Sequence, residues 1–259
     1  MIKAVFLDID GTMVSFETHR VPDNTRNALR EARRNGVKVF VSTGRHKSDI
    51  TNLGDLEFDG YITLNGAYCR VGNEVVFKKS ISREDVEAFI RYEEEVAPVP
   101  CFFVERDKVS SNMMDEKMAQ MMELVKFTPR PILPSREFLD KEIFQMTAFF
   151  SVEQEEEIMK RLPGCASTRW YPTFADIIAR DVDKSVGLDK IGEYFGFGID
   201  EMMAMGDGGN DISMIKHAGV GVAMGNADED VRLAADYITT SVDDDGVGNA
   251  LRHFGVISD

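Results

Sequence analysis

The apolar run Ala4-Val5-Phe6-Leu7 stops at Asp8-Ile9-Asp10-Gly11-Thr12, so a strand that reads as fully buried ends in two carboxylates one residue apart. An ionised carboxylate is costly to desolvate unless it is paired or bound to a metal, and such a strand end therefore demands a partner. Side chains alternate along extended backbone. Asp8 and Asp10 share a side only while Ile9 stays extended, whereas a turn at Gly11 lets both converge on one ligand. Either way the pair sits at the carboxyl end of a strand, where open α/β sheets bind their ligands.

The pattern recurs along the chain. After Val21 a helical face formed by Ala28, Leu29 and Ala32 is stopped by Gly36, and the strand Val37–Val41 ends in Ser42-Thr43-Gly44 with Arg45 next. A third strand, Tyr61–Leu64, ends at Asn65-Gly66, and Gly72-Asn73 marks a hairpin. From Lys184 a helix to Phe195 precedes strands at Met202–Met205, Val220–Met224 and Tyr237–Thr240, with helices between them and a last helix to about Phe254. The strand Met202–Met205 runs into Gly206-Asp207-Gly208-Gly209-Asn210-Asp211, a second acid-tipped end.

The middle of the chain has another texture. Ser82-x-x-Asp85 reads as a capping box opening a helix with Val86, Phe89 and Ile90 on one face, and mixed strands and helices follow. These include a strand at Ile143–Phe150, an acidic helix from Glu153 to Leu162, and a hairpin through Arg169-Trp170-Tyr171 and Phe174–Ile178. The expected architecture is α/β: a doubly wound, Rossmann-like parallel core from residues 1–81 and 183–259, with an α+β domain, 82–182, inserted between its halves.

With 259 residues, 43% of them hydrophobic, the chain has enough apolar matter for one large domain or two smaller ones. Lys and Arg total 30 against 45 Asp and Glu, a formal charge of −15 that repels nucleic acid and anionic membrane. Any phosphate it handles must then be met by local donors or a bound cation. Cys69, Cys101 and Cys165 form no zinc-binding spacing, and neither a signal pattern nor an apolar stretch near the ~20 residues of a membrane span is present. A reduced, cytoplasmic setting is expected, for a monomer or weak homo-oligomer.

If the two acid-tipped strands are neighbours, Asp8, Asp10, Asp207 and Asp211 crowd one crevice. At ~4 Å and an effective dielectric of ~20, each like-charged pair costs about 4 kcal/mol, which calls for a cation or raised pKa values. Oxygen-only ligands suit Mg²⁺, which is commonly held by one or two carboxylates plus substrate phosphate.

These segments resemble, in order, the four motifs of the haloacid dehalogenase superfamily: Asp8-Ile9-Asp10-Gly11-Thr12, Thr43-Gly44-Arg45, Lys184, and Gly206-Asp207-x-x-Asn210-Asp211. Their context is similar to the Cof-type sugar-phosphate phosphatases, which carry a large C2-type cap after the second motif. Met13 stands where Leu is common, and Ser185 where Gly is common. The resemblance implies Mg²⁺-dependent hydrolysis of a small phosphorylated metabolite, with a sugar phosphate favoured. Asp8 would be the nucleophile and Asp10 the acid, then the base, with Thr43 and Lys184 completing the catalytic set. It implies phosphate binding by Ile9, Asp10, Thr43, Gly44, Lys184 and Asn210. Mg²⁺ would be held by Asp8, the Asp10 carbonyl and Asp207, with Asp211 orienting these groups.

Plainer readings stand beside these. A calcium loop starting at Asp8 would need Gly and Glu where Met13 and His19 stand. Gly219-x-Gly221-x-x-x-Gly225 lies on a strand rather than opening a helix, so it reads as tight packing plus a turn and not a dinucleotide site. His19, His46, His217 and His253 have no metal spacing, and Met113, Met114, Met118, Met121 and Met122 read as helical core. Asn65, Gly66 and Arg45 on the core, and Arg169 and Trp170 on the insert, are the candidates for substrate contact. Two rival functions use the same acids: a phosphosugar mutase, and a non-catalytic phospho-acceptor module, which needs no inserted domain.

Overall fold

The computed structural model describes residues 1–124 and 129–258. In chain order the strands and helices begin with β1 (Ala4–Leu7), α1 (Asp23–Arg34), β2 (Lys38–Ser42), β3 (Gly60–Thr63), β4 (Tyr68–Val71) and β5 (Glu74–Lys78). Next come α2 (Arg83–Glu95), β6 (Cys101–Val104), β7 (Val109–Ser111), α3 (Glu116–Leu124), β8 (Gln145–Ala148), α4 (Val152–Arg161), β9 (Cys165–Tyr171) and β10 (Phe174–Ala179). The chain closes with α5 (Lys184–Phe195), β11 (Met202–Gly206), α6 (Ile212–His217), β12 (Val220–Ala223), α7 (Glu229–Ala234), β13 (Tyr237–Ile238) and α8 (Gly246–His253). They fall into two compact units, one of residues 1–45, 50–78 and 183–259, the other of 46–49 and 79–182.

The first unit is built on an eight-stranded sheet in the order β13-β12-β11-β1-β2-β3-β4-β5, parallel from β13 to β3 and antiparallel at the β3-β4-β5 edge. Strand alternation sorts its side chains onto two faces. Val5, Leu7, Val39, Val41, Met203 and Met205 pack with Ala28, Leu29 and Ala32 of α1 and Val247, Ala250 and Leu251 of α8. Ala4, Phe6, Phe40 and Ala204 pack on the other face with Leu188 and Ile191 of α5, Met214 of α6 and Val231 of α7. Helices on both faces make the sheet doubly wound, as expected. β1 leads by α1 to β2 on one side while β11 leads by α6 to β12 on the other, so the winding reverses between β1 and β11. Gly72 (φ +55°) makes the expected hairpin between β4 and β5, and Gly36 (φ +87°) follows α1.

The second unit is a five-stranded antiparallel sheet, β7-β6-β8-β10-β9, with α2 and α4 on one face. Ser82 caps α2 by accepting the Asp85 amide at 3.0 Å, and Val86, Phe89 and Ile90 pack on Cys101, Phe103, Met146 and Ile177. The remaining sheet side chains include a buried polar trio: Thr147 Oγ1 and Gln145 Nε2 donate to Asp176 Oδ1 at 2.6 and 3.1 Å. The methionine run is core only in part. Asp115 accepts the Met118 amide at 2.8 Å and so sets the start of α3, which leaves Met113 and Met114 ahead of the helix. Met118, Met121 and Met122 are buried and Met114 is exposed. Residues 46–49 join this unit through His46, whose Nε2 donates to the Arg106 carbonyl at 3.0 Å, and through the Asp49–Arg130 ion pair. No helix among the described residues is long and apolar enough to cross a membrane.

Candidate active site

Parallel pairing sets Leu7 beside Met205, so β1 and β11 deliver Asp8 and Asp207 to the same edge of the sheet, on either side of the winding reversal. The Asp8 amide donates to the Met205 carbonyl at 3.1 Å, and the chain then turns at once. The Ile9 carbonyl accepts from Met13 and Val14 at 3.0 and 2.7 Å, and Gly11 takes φ +80°. A Cβ on Gly11 would lie 2.1 Å from Asp207 Oδ2, so this turn can press against the second acid only as glycine. The turn parts the two opening carboxylates: Asp8 meets a lysine and Asp10 an arginine.

Lys184 is the first residue of α5 and is wholly buried. Its Nζ donates to Asp8 Oδ1 at 2.7 Å, Asp211 Oδ1 at 2.5 Å and the Ser42 carbonyl at 2.9 Å, which uses all three of its protons. The Asp183 cap aims it, with Oδ1 accepting from the Ser185 and Val186 amides at 2.8 and 3.1 Å. Ser185 adds its hydroxyl to the same oxygen at 2.5 Å and so reinforces that cap. Burial works against the charge of Lys184, but Asp211 and Asp8 outweigh it and hold its pKa above the ordinary lysine value.

Asp211 anchors the fourth motif. Its Oδ2 accepts the Asp207 and Gly208 amides, both at 3.0 Å, while Oδ1 faces Lys184. Asp207 Oδ1 accepts from the Thr12 hydroxyl at 2.9 Å. Asn226, in the loop after β12, ties three segments together: its Nδ2 donates to the Gly11 carbonyl at 2.9 Å and reaches Asp207 Oδ2 at 3.4 Å, and its Oδ1 accepts the Val242 amide at 2.9 Å. Sequence reasoning missed the positioning roles of Thr12, Asn226 and the Ser42 carbonyl. Thr12 sits inside a recognisable motif, but nothing local marks Asn226, whose partners meet only after β12, β11 and β1 have paired.

The end of β2 supplies the other wall. The Thr43 hydroxyl oxygen accepts the Arg45 amide at 3.1 Å, leaving its own proton to donate. Arg45 grips Asp10 with Nε to Oδ2 and Nη2 to Oδ1, both at 2.6 Å. Leu64 and Asn65 both lie in the left-handed region, at φ +54° and +52°, an arrangement that costs about 1–2 kcal/mol per residue. It is held by the Asn65 amide donating to the Thr43 carbonyl at 3.1 Å and by Asn210 Nδ2 donating to Asn65 Oδ1 at 2.9 Å. Gly44 packs on the Asn65 carboxamide, and a Cβ on Gly66 would lie 1.9 Å from the Asp183 carbonyl. Asp8, Asp10, Thr43, Gly44, Arg45, Asn65, Gly66, Lys184, Asp207, Asn210 and Asp211 are thus knit together at one edge of this unit.

The two weaker candidates from the insert belong to the second unit. Arg169 Nε and Nη2 donate to Glu155 Oε2 at 2.9 and 2.6 Å, and Nη1 donates to the Pro172 carbonyl at 2.9 Å. These contacts brace β9 against α4. The Trp170 side chain lies outside the described residues.

Asp8, Asp207 and Asp211 each offer a carboxylate oxygen within 4.8 Å of the others. Three acids gather around one lysine, and burial raises the pKa values of two of them, Asp8 and Asp207. Burial, helped by Asp211 and Asp10 and opposed by Lys184, lifts Asp8 to about 7. Burial and then the charges of Asp8 and Asp211 push Asp207 well above the usual carboxylate range. Uncompensated negative charge and an all-oxygen donor set fit a hard divalent cation of the Mg²⁺ kind. Asp8 and Asp207 would hold it: the Asp211 oxygens accept short contacts, from Lys184 on one and from two amides on the other, while Asp207 Oδ2 is met by Asn226 at the longer 3.4 Å.

A doubly wound sheet whose winding reversal gathers three carboxylates around one lysine defines the class: an α/β core with an oxygen-donor cluster suited to a divalent cation at its switch point. The sequence profile of the haloacid dehalogenase-like hydrolases matches residues 5–251. A solved structure of the HAD subclass IIB sugar phosphatase BT4131 is 46% identical, with a TM-score of 0.94 over 98% of this chain and 100% of its own. From Bacillus subtilis, the putative phosphatase YkrA is 30% identical over 98% of both chains. The 5-amino-6-(5-phospho-D-ribitylamino)uracil phosphatase YcsE of the same organism is 31% identical over 98% of this chain and 96% of its own. The chain belongs to the haloacid dehalogenase-like hydrolases and is a phosphatase of their Cof type.

Proposed function

We propose that this phosphatase hydrolyses a small sugar phosphate in two steps through an aspartyl phosphate on Asp8. The observation that carries the reading is the buried triad of Asp8, Lys184 and Asp211 beside Asp207, at the one edge where the sheet reverses its winding. Lys184 holds one Asp8 oxygen and leaves the other to attack phosphorus. As that P–O bond forms, the ester P–O bond breaks, its electron pair goes to the leaving oxygen, and the Asp10 carboxyl supplies the proton. Water then attacks the phosphorus, its proton passes to Asp10, and the Asp8 carboxylate departs, which restores both acids. The Thr43 hydroxyl donates to an equatorial phosphoryl oxygen in both steps, and the Lys184 ammonium, whose three protons are placed on Asp8, Asp211 and the Ser42 carbonyl, acts on the phosphoryl group through its charge. Asp8, the Asp10 carbonyl and Asp207 would hold Mg²⁺, which would supply charge neutralisation to the reaction.

The choice of a sugar phosphate is supported by the sugar phosphatase at 46% identity. We assign selection among phosphate esters to the second unit, the part of the chain inserted between the second and third motifs. The test is a phosphate-release screen over sugar phosphates, nucleotides, cofactor phosphates and the ribitylaminouracil phosphate, with Mg²⁺ or with chelator. Sugar phosphates should lead, turnover should vanish reversibly without the metal, and Asp8→Asn should be inactive yet folded. Preference for a nucleotide, or full activity under chelation, would overturn the assignment.

A further inference from the structure

Asp10 is bound in a way that the hydrolysis scheme leaves unused. The two 2.6 Å contacts from Arg45 Nε and Nη2 engage both carboxylate oxygens, and the side chains are 9% exposed for Arg45 and 21% for Asp10. The terminal torsion of an aspartate is broad and fixes no plane by itself. A planar guanidinium fork meeting both oxygens does fix it, which a lysine ammonium cannot do. The backbone of Arg45 is pinned in turn: its amide donates to Thr43 Oγ1 at 3.1 Å and its carbonyl accepts the Leu64 amide at 3.4 Å.

We propose that Arg45 is a positioning residue for Asp10: it fixes the plane of the Asp10 carboxyl and serves the reaction through that group, not by holding substrate. The proposal rests on the reading of Asp10 as the group that protonates the leaving oxygen. A carboxyl carrying a proton on one oxygen gives up one of the two N–H contacts and keeps the other. When that proton passes to the leaving oxygen as the P–O bond breaks, the second contact re-forms, so the fork keeps hold of Asp10 through both halves of the cycle. The paired cations explain how two carboxylates one residue apart take different jobs. Lys184 presents Asp8 as the attacking group, and Arg45 turns Asp10 toward the leaving group.

The test compares p-nitrophenyl phosphate with phenyl phosphate, whose poorer leaving group depends more on proton donation, using the full chain with Mg²⁺. Variants are Arg45→Gln, Arg45→Lys, Asp10→Asn and the double variant Asp10→Asn/Arg45→Gln, each first checked for an unchanged melting temperature. The phenyl-to-nitrophenyl ratio of kcat should fall on the order of tenfold in Asp10→Asn. It should fall by a similar factor in Arg45→Gln with KM changed less than about twofold, and no further in the double variant, because both changes remove one function. Arg45→Lys, with charge but no fork, should fail to restore the ratio. An Arg45→Gln variant that raises KM for both esters at an unchanged ratio, or whose loss multiplies with that of Asp10→Asn, would make Arg45 a substrate ligand and overturn the proposal. An unchanged ratio in Asp10→Asn alone would instead refute the acid role of Asp10, a failure visible without any Arg45 variant.

Discussion

Replacing Lys184 with Met removes the charge that joins three strand ends while keeping an unbranched side chain of similar length, so packing is nearly conserved. At an effective dielectric of ~20, contacts of 2.7 and 2.5 Å carry a gross attraction of about 6 kcal/mol each. Most of that offsets the desolvation of buried charges. The loss on breaking such a pair by removing one partner is about 3–5 kcal/mol, because uncompensated charge stays buried. For a unit of this size, 1 kcal/mol shifts the melting temperature by about 2–4 °C, so Lys184→Met should melt roughly 6–20 °C lower by calorimetry in metal-free buffer. Adding Asp211→Asn removes one of the orphaned charges and should recover part of the loss, so the double variant melts above the single one. A Lys184→Met protein within ~1 kcal/mol of wild type, or a double variant less stable than the single, would refute the view that this lysine neutralises Asp8 and Asp211.

Two further outcomes follow from the structure. Gly66→Ala forces a side chain into φ +98° with its Cβ 1.9 Å from the Asp183 carbonyl. Urea unfolding should show a loss of about 1–3 kcal/mol, and kcat should fall because Asp183 caps the helix that starts with Lys184. In the second unit, burial raises Glu93 from 4.5 to about 7. The folded state therefore binds more protons than the unfolded chain between those values, and stability is full below about 4.5 and falls as pH rises through about 7. The melting temperature should accordingly drop between pH 5 and pH 8 by an amount equivalent to at most about 3 kcal/mol, less for the part of Glu93 that water reaches. Glu93→Gln should flatten this component, and an unchanged pH dependence in that variant would refute it.

Local physics made much of the fold legible. Gly36 and Gly72 punctuate because both take positive φ, and Ser82 opens α2 because its hydroxyl oxygen meets the Asp85 amide. Gly221 reads as a packing glycine because a Cβ there would lie 2.0 Å from the Ile215 carbonyl. Strand ends were the surest guide to the site, since a buried strand finishing in Asp8, and another in Asp207, is hard to reconcile with anything inert. Long-range closure stayed hidden. Asn226 meets Gly11, Asp207 and Val242 only through the parallel order β12-β11-β1. The fork between Arg45 and Asp10 likewise depends on how β2 and β1 are registered, and no spacing in the chain records that. β13 stops at Ile238, short of the strand expected through Thr240. Its next residues turn their hydroxyls to carbonyls, Thr239 to Gly246 and Thr240 to Asp244, both at 2.7 Å.

The central claim, that Asp8 carries the phosphoryl group, is tested most directly by rapid acid quench of the Mg²⁺-loaded enzyme with a phosphate-labelled ester. Label should appear on the protein within the first turnover, be released by hydroxylamine as an acyl phosphate requires, and map to the peptide containing Asp8. Asp8→Asn should take up none. Steady release of free phosphate from wild type with no label on the protein at any quench time, or label on a peptide without Asp8, would contradict the account.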